Sequence, residues 1–564
     1  MRVKVPGQKL TVQAIAGTHV VMLGFDMDPA DCDGLAGFAI HRTDPVEEEA
    51  TWLRGLKTFA ETDPGLIPPN TYSTRHHPIQ GFTWADYAAE PGRTYQYRVV
   101  ALKGPPKQLV PFDEVTVEVT TESPESGLHD IYFNRGSAGS QEYVRLFGNQ
   151  LPKPPLPQAQ LDWLSRGLYE AMIAFVERAQ DATCELHVCA YEFHYEPVLE
   201  ALKRAAADRN VAVRIIYDAR KKDPREANDL AVQTVGIGNL CTRRVEGKSF
   251  ISHNKFIVLS RNGQPEAVLT GSTNFSDGGI FGHSNVVHVV EDPEVAKVYR
   301  AYWDLLVTDP KNAALRPKVR KLYSLPAAIP AVPPDGAASV GRPPVGTGVI
   351  FSPRTNIDAL QFYAGLAGEA NDALFATFAF GMHPLFQQAY ATGKARLRFA
   401  LMEQPTRPMA DGPEKQAEEA KIVTLRRQRE NRFAIGGLLA MNLFDRWLAE
   451  HLTGLNKNVN FVHTKYMLLD PLGLDPIVVS GSANFSEASS SDNDENMLVI
   501  RGDSRVAEIY LGEFMRLYSH FAFREWASKP ENAGQNPSHL RTDDWWRQYF
   551  GGTAQSRQRQ YFMT

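Results

Sequence analysis

The sequence predicts a mixed α/β protein in which an all-β sandwich precedes two related α/β lobes. Residues 1–125 alternate apolar and polar side chains between Pro, Gly and Asp clusters, which indicates short strands. From residue 126 onward, strands alternate with amphipathic helices, as is typical of α/β domains. The same order of strands and helices occurs twice in that part of the chain.

The length and the net charge limit the classes to which the protein can belong. The chain has 564 residues, enough for roughly three or four domains. Lys and Arg number 60 and Asp and Glu 65, so the formal net charge is −5 and a strongly basic protein that coats nucleic acid is excluded. With 43% hydrophobic and 22% charged residues, the composition is that of folded domains rather than of a disordered chain.

The first 125 residues predict a β-sandwich, with strands over 18–25, 37–42, 93–102 and 114–121. Trp84, Pro91-Gly92 and the Tyr95-Gln-Tyr97 run resemble the later strands of a fibronectin type III domain, with one tyrosine at the place of the tyrosine corner. The resemblance implies either a binding module or a domain that only packs against the rest of the protein.

The repeated α/β pattern sets the remaining boundaries. We predict a first lobe over 126–324 and a second over 348–564. Residues 325–347 are rich in Pro, Ala and Gly and predict a linker or a surface crossover.

Each predicted lobe carries the same pair of short motifs. They are His253-Asn-Lys255 with Gly271-Ser272-Thr-Asn274, and His463-Thr-Lys465 with Gly481-Ser482-Ala-Asn484. In both copies the glycine follows the histidine by 18 residues, from 253 to 271 and from 463 to 481. A single His-x-Lys is weak evidence of a site, but two copies with matched spacing are hard to attribute to chance.

The residue types of the motifs suit an anionic phosphate. On a strand, the period of two places the histidine and lysine of His-x-Lys on one face. The Gly-Ser-x-Asn motif adds a small residue that permits close approach, a hydroxyl and a carboxamide, which are neutral hydrogen-bond donors. The sequence therefore predicts a cluster of imidazole, ammonium and amide groups in each lobe.

The paired motifs resemble the signature of the phospholipase D superfamily, in which His-x-Lys is followed by four residues, an Asp and then Gly-Ser-x-Asn. The resemblance covers residues 128–564. It implies a pseudo-two-fold bilobal body, complete within one chain, with a single active site where the two His-x-Lys segments meet. It also implies a phosphoric diester hydrolase that acts on a phosphodiester substrate.

The resemblance further implies a role for each motif residue. One histidine attacks phosphorus to form a phosphohistidine, and the other protonates the leaving alcohol and then activates water or an acceptor alcohol. Single-chain relatives favour His253 as nucleophile and His463 as acid and base, although the matched spacing leaves the reverse open. The residues expected to bind the non-bridging oxygens are Lys255, Lys465, Asn274 and Asn484, with Ser272 and Ser482 as supporting substrate-binding residues.

The two copies differ at their carboxylates. Asp470 fills the Asp position of the signature in the second copy, whereas the first has Ser260 there. Glu495 lies in a segment that resembles the Asn-x-Glu-Asn run of family members, where the Glu hydrogen-bonds a catalytic histidine. Asn285 stands at the equivalent position of the first copy. We count Asp470 and Glu495 among the catalytic residues, and a first lobe that is only structural is the alternative.

The sequence is compatible with three functions. The leading one is cleavage of the headgroup phosphodiester of glycerophospholipids, by hydrolysis or by transfer to another alcohol. The second is a nuclease of the same superfamily, which basic residues around Arg220, Arg244 and Arg426 would serve if they lined a groove rather than solvated helix faces. The third is a non-catalytic scaffold.

No cofactor or metal is expected, since the resemblance implies that two lysines supply the positive charge of a divalent cation. Four scattered cysteines, Cys32, Cys184, Cys189 and Cys241, lack zinc-site spacing. The sequence shows no signal peptide and no apolar run of about 18 residues, so we expect a cytoplasmic protein without an integral membrane segment, with export by another route left open. The oligomeric state is also left open.

Overall fold

The computed structural model describes residues 1–65, 71–136, 141–148, 157–247, 250–322, 342–437, 459–528 and 539–564. Among these residues, no helix has the length and apolar character needed to cross a membrane.

The described part of the N-terminal region contains two four-stranded sheets and one short two-stranded sheet. The sheet orders are β1-β2-β3-β8 and β10-β9-β4-β5, and β6 pairs with β7. Their strands are β1 Arg2–Pro6, β2 Leu10–Ala16, β3 Val21–Met27, β4 Leu35–Asp44, β5 Glu49–Trp52, β6 Arg54–Gly55, β7 Tyr72–Ser73, β8 Thr83–Asp86, β9 Thr94–Lys103 and β10 Val110–Thr120. The hydroxyl of Tyr95 accepts a hydrogen bond from the Glu90 N–H (2.8 Å), as a tyrosine corner would. The β-rich region is as predicted, and the resemblance to fibronectin type III stays a prediction.

The first lobe is built on a seven-stranded sheet of order β11-β17-β16-β15-β12-β13-β14, in which β12, β13 and β14 run parallel. The strands are β11 His129–Phe133, β12 Cys184–Ala190, β13 Ala212–Asp218, β14 Cys241–Arg244, β15 Lys255–Arg261, β16 Gln264–Gly271 and β17 Val286–Val290. The helices are α1 Gln141–Phe147, α2 Gln158–Ser165, α3 Leu168–Glu177, α4 Glu196–Arg209, α5 Lys222–Val235, α6 Pro293–Leu306 and α7 Asn312–Leu322.

The second lobe repeats that topology with a seven-stranded sheet of order β18-β24-β23-β22-β19-β20-β21. The strands are β18 Gly346–Ser352, β19 Ala373–Phe378, β20 Leu397–Met402, β21 Asn431–Ile435, β22 Tyr466–Leu469, β23 Ile477–Gly481 and β24 Glu495–Arg501. The helices are α8 Asp358–Glu369, α9 Pro384–Thr392, α10 Pro413–Arg426, α11 Glu487–Ser491, α12 Ser504–Ser528 and α13 Ala554–Tyr561. The predicted fold class is confirmed. Residues 325–341 of the predicted linker lie outside the described residues.

One apolar core runs through both lobes and into the N-terminal region. It contains Met22 of β3, Phe256 of β15 and Phe514 of α12, all buried. At the contact between the lobes, the rings of Tyr302 and Phe351 stack with centroids 4.3 Å apart. Because aromatic burial and stacking contribute strongly to association, this shared core fixes the two sheets relative to each other. The motif-bearing strands of both sheets are thereby held in register.

Candidate active site

Isolated β-bridges join the two lobes beside the motifs. Ser252 bridges to Asp494 of the second lobe, and Ser284 bridges to Val462. The N–H of His253 donates to the Asp494 carbonyl (2.9 Å). The two bridges are equivalent, because adding 210 to a residue number of the first lobe gives its counterpart in the second. Ser252 thus corresponds to Val462, and Ser284 corresponds to Asp494. The site therefore has pseudo-two-fold symmetry, and each histidine segment is held by the opposite lobe.

These bridges change one detail of the prediction. The regular strands begin at Lys255 and Tyr466, so both histidines precede their strands instead of lying on them. The reason is that backbone groups of Ile251, His253 and Phe461 hydrogen-bond across the lobe boundary rather than within their own sheets. Each histidine and its lysine are nevertheless both buried at the same boundary.

Glu495 of the second lobe supports His253 of the first. Its carboxylate oxygens lie 2.9 and 3.1 Å from His253 Nδ1. When Glu495 is ionised it can only accept, so Nδ1 then carries a proton and Nε2 is left with the lone pair. Burial, followed by Lys255 and Lys465, lowers the pKa of His253 well below its ordinary value. Burial raises the pKa of Glu495 to about 8.

Asn285 of the first lobe supports His463 of the second. Its Oδ1 lies 2.8 Å from His463 Nδ1 and accepts from the Ser272 hydroxyl, also at 2.8 Å. Its Nδ2 donates to the Gly279 carbonyl (2.7 Å), which fixes the orientation of the amide. Asn285 thus takes the place that Glu495 has in the other half. The two imidazoles differ in that one faces a carboxylate and the other a neutral amide.

The two lysines are buried beside the histidines. Lys465 Nζ donates to the His463 carbonyl at 2.5 Å, and Lys255 Nζ donates to the carbonyl of His253. Each ammonium keeps two further donors. Burial lowers the pKa of Lys255 to about 8, and burial together with the charge of Lys255 lowers the pKa of Lys465 well below its ordinary value. Two cations held this close favour an anion between them.

The motif asparagines lie unpaired at the same boundary. Asn274 is buried and Asn484 is partly buried, and within the described residues their Oδ1 atoms have no hydrogen-bond partner. Buried amides without partners are rare in folded proteins. Their free polar groups are therefore candidates for contact with a ligand.

The glycines and serines of the motifs pack against or hydrogen-bond neighbouring residues of the protein. A Cβ at Gly271 would lie 2.2 Å from the Val286 carbonyl oxygen, and one at Gly481 would lie 2.3 Å from that of Asn496. The expected close approach is thus present in both lobes. Ser272 and Ser482 are fully buried behind the site, and Ser482 Oγ accepts from the Asn496 N–H (3.0 Å). We correct their predicted contact with substrate to a supporting position behind Asn285 and β24.

The structure does not bring Asp470 to the site. Five residues of extended chain separate it from Lys465, roughly 16 Å at about 3.3 Å per residue. Its carboxylate accepts from the N–H groups of Asp372 (2.7 Å) and Ala373 (3.0 Å), at the turn before β19. Ser260 occupies the matching buried end of β15. We therefore correct the predicted catalytic role of Asp470 and propose that it fastens this turn.

Three residues of the site were not predicted from the sequence. The ring of Tyr191 lies 4.9 Å from that of His253, with Lys255 Nζ 5.2 Å from its centroid. Glu192 accepts from the Ser276 hydroxyl at 2.7 Å, and its negative charge opposes the lowering of the pKa that burial causes at both motif lysines. His283 stacks on His463. Tyr191 and Glu192 could have been found in the sequence from their position directly after β12, a buried central strand.

A pair of equivalent carboxylates holds the approach to each histidine. Asp218, at the end of β13, accepts from the Ser252 N–H at 2.8 Å. Glu403, directly after β20, accepts from the Val462 N–H at 2.9 Å. Buried charge-assisted hydrogen bonds of this kind fix the backbone strongly. The residue before each motif histidine is therefore anchored in the same way in both lobes.

Three of the basic residues noted in the sequence are ion-paired. Arg220 and Arg244 are buried and both donate to Asp494, at 3.1 and 2.9 Å. Arg426, which is partly exposed, donates to Glu525. Other members of the two basic segments, such as Lys222 and Arg427, are exposed, so a solvated face and a groove both stay predictions for them. Among the described residues, no group of three or more His, Cys, Asp or Glu side chains is placed to hold a metal ion.

Comparisons with known proteins agree with the paired motifs. Residues 175–306 and 439–518 match the family model described as "Cardiolipin synthase, PLD-like domain". These segments contain both His-x-Lys and both Gly-Ser-x-Asn motifs. A search of curated protein sequences found no match.

Several solved structures resemble parts of the chain at low identity. The phosphatidylserine synthase of Haemophilus influenzae Rd KW20 is 12% identical with a TM-score of 0.41, over 72% of this chain and 90% of that one. The phospholipase D family member Nuc of Salmonella typhimurium is 19% identical with a TM-score of 0.21, over 31% and 91%. The polyphosphate kinase of Porphyromonas gingivalis is 11% identical with a TM-score of 0.38, over 62% of this chain and 48% of the kinase, so the chain spans about half the kinase length.

Proposed function

Because this chain belongs to the phospholipase D superfamily, which acts on phosphodiester bonds, we propose that it is a metal-independent phosphodiesterase that works through a covalent phosphohistidine. The observation that carries the proposal is the pair of buried histidines, each held through Nδ1 by the opposite lobe, with two buried lysines beside them. The proposed substrate is a glycerophospholipid, cleaved between phosphate and headgroup.

In the first step, His253 Nε2 attacks phosphorus. The P–N bond forms as the bond to the leaving oxygen breaks, and that oxygen takes a proton from His463 Nε2. Lys255, Lys465 and the amides of the motif asparagines bind the non-bridging oxygens as their charge develops. The His463 proton is acquired when the anionic substrate binds, since negative charge nearby favours the imidazolium.

In the second step, His463 accepts a proton from water or from an acceptor alcohol, whose oxygen attacks phosphorus and breaks the P–N bond. Phosphorylation of His253 makes its imidazole cationic, and Glu495 opposes that charge at 2.9 Å. Asn285 offers His463 no such charge, so a protonated His463 is the stronger acid. This difference supports His253 as nucleophile and His463 as acid and base.

Two observations support a lipid rather than a nucleic acid. The description of the matching family model names cardiolipin synthase, and cardiolipin is a lipid. Arg220 and Arg244, two of the basic residues considered for a nucleic-acid groove, are paired with Asp494 inside the protein and are not free to contact phosphates.

One assay panel tests the proposed function. Purified protein is incubated in excess EDTA with phosphatidylcholine, phosphatidylethanolamine, single-stranded DNA, duplex DNA and RNA. We expect release of headgroup from a phospholipid, undiminished by EDTA. Cleavage of nucleic acid alone would replace the lipid substrate by the nuclease alternative, and loss of activity on chelation would refute metal independence. Inactivity on every substrate would favour the scaffold.

The buried lysines predict that activity is lost at a lower alkaline pH than is usual for a lysine-dependent site. Lys255 binds phosphate only when protonated, and its pKa is lowered from 10.5 to about 8. Because His463 takes up its proton only on binding, kcat/KM, which reports on the free enzyme, should already fall with rising pH below pH 8. Deprotonation of Lys255 should steepen the fall by a further factor of about ten per pH unit above about pH 8. The limb in kcat should lie at higher pH, because the bound anion raises the pKa of the lysine. A kcat/KM that stays flat to pH 10 would contradict this role, and the surface variant Lys203→Arg serves as control.

A further inference from the structure

A third imidazole, that of His283, lies in the site without a part in the proposed steps. His283 directly follows the π-helical turn Gly278–Gly282 and is 7% exposed. Its ring stacks on that of His463 with centroids 4.2 Å apart and an interplanar angle of 21°. A π-helical turn is rare and is often found at functional sites. Any group bound at His463 Nε2 therefore lies close to His283 as well.

The turn itself is adapted to this arrangement. A Cβ at Gly279 would lie 2.4 Å from the Asn274 carbonyl oxygen, so no larger residue fits there without movement of the backbone. The Gly279 carbonyl in turn accepts from Asn285 Nδ2 (2.7 Å). The turn thereby connects a motif asparagine, the Asn285 amide and His283 in one rigid unit.

The hydrogen bonds of Asn285 determine where the protons of the two stacked rings lie. Its Nδ2 has two hydrogens, one for the Gly279 carbonyl and one for His283 Nδ1 at 2.8 Å. His283 Nδ1 is therefore an acceptor, and its neutral ring carries the proton on Nε2. Asn285 Oδ1 accepts from His463 Nδ1, so neutral His463 has its lone pair on Nε2. The two rings hold opposite tautomers.

His283 remains a neutral hydrogen-bond donor. Burial, followed by the charge of Lys465, lowers its pKa to about 3, so it does not compete with His463 for a proton. Within the described residues its Nε2 has no hydrogen-bond partner. The equivalent residue of the second lobe is Asn493, whose amide donates to Glu495 at 3.3 Å. The extra donor thus exists only beside His463.

We propose that His283 donates its Nε2–H to the leaving oxygen of the phosphodiester, beside the proton supplied by His463, and that this donor adapts the site to substrates with alkyl alcohol leaving groups. The inference rests on the proposed function. The P–O bond that breaks leaves charge on the alcohol oxygen, and a donor fixed before the reaction stabilises that charge. His283 loses no proton in the step and needs no co-reactant.

The test compares two phosphodiesters that share the transferred group and differ in the leaving group, an alkyl alcohol in one and 4-nitrophenol in the other. The acidic phenol departs without help, whereas the alcohol does not. We expect His283→Ala to lower kcat/KM about 10²-fold for the alkyl ester and less than about threefold for the nitrophenyl ester. His283→Gln, which restores an N–H donor, should recover part of the loss. His187→Gln makes the same change at a buried histidine outside the site and should leave both values unchanged.

Equal losses on both esters, or no loss on either, would overturn the inference, because a structural role does not distinguish leaving groups. A second measurement is independent of activity and of variant stability. The imidazole ¹⁵N shifts of the wild-type protein should show His283 protonated at Nε2 and His463 at Nδ1, and the reverse tautomers would overturn the inference. Should the wild type cleave neither ester, the proposed function fails, whatever the tautomers are.

Discussion

Replacing His253 or His463 by alanine is expected to lower kcat/KM for an alkyl phosphodiester by at least about 10³-fold, separately in each variant. The reason is that the site is shared. His253 is held by Glu495 and His463 by Asn285, each from the opposite lobe, so neither lobe has a complete set of catalytic groups. Groups that act as a unit lose nearly all function when one is removed.

The control for these variants is His76→Ala, an exposed histidine of the N-terminal region. Full activity in either His253→Ala or His463→Ala, with the control unaffected, would refute the shared site. A thermal unfolding curve of each variant shows whether the variant is still folded, which separates loss of fold from loss of a catalytic group.

Glu495→Gln is expected to lower kcat/KM about 10- to 100-fold. Glutamine preserves an oxygen that can accept from His253 Nδ1, so the tautomer is retained, but the negative charge that stabilises the phosphorylated imidazole is lost. A hydrogen bond to a charged group contributes about 1.5–3 kcal/mol, compared with about 1 for a neutral one. Steady-state kinetics with the alkyl ester measures the difference.

Glu508→Gln offers a matched control, because Glu508 is also buried in the second lobe and lies outside the site, where it pairs with Arg2 at 2.7 Å. An unchanged rate in Glu495→Gln would remove Glu495 from the mechanism. A loss equal to that of Glu508→Gln would reduce its role to stability.

The fold class can be predicted from the sequence, because the periodicity of the side chains and the order of strands and helices are properties of local segments. Alternation of side chains marks the N-terminal strands, and the repeated βαβ pattern marks the lobes. The family resemblance of the paired motifs also implies that the segments of His253 and His463 meet. In the structure each of these histidines is held by the opposite lobe.

The partners across the lobes could not be predicted in this way. Glu495 and Asn285 stand at equivalent positions, and nothing in their spacing says which histidine each one holds. That depends on how strands β17 and β24 approach the opposite lobe. His283 was overlooked because a lone histidine in a glycine-rich run has no periodic signal. Asp470 could have been placed correctly, since five residues of extended chain carry it away from Lys465.

The most direct test of the central claim is to trap the covalent intermediate. His463→Ala is mixed with the 4-nitrophenyl ester, whose leaving group needs no acid, and the protein is quenched at alkaline pH and mapped by mass spectrometry. Without His463 to activate water, we expect the phosphoryl adduct to accumulate on His253. No adduct should form in His253→Ala. An adduct on any other residue, or one that persists in His253→Ala, would contradict the proposal.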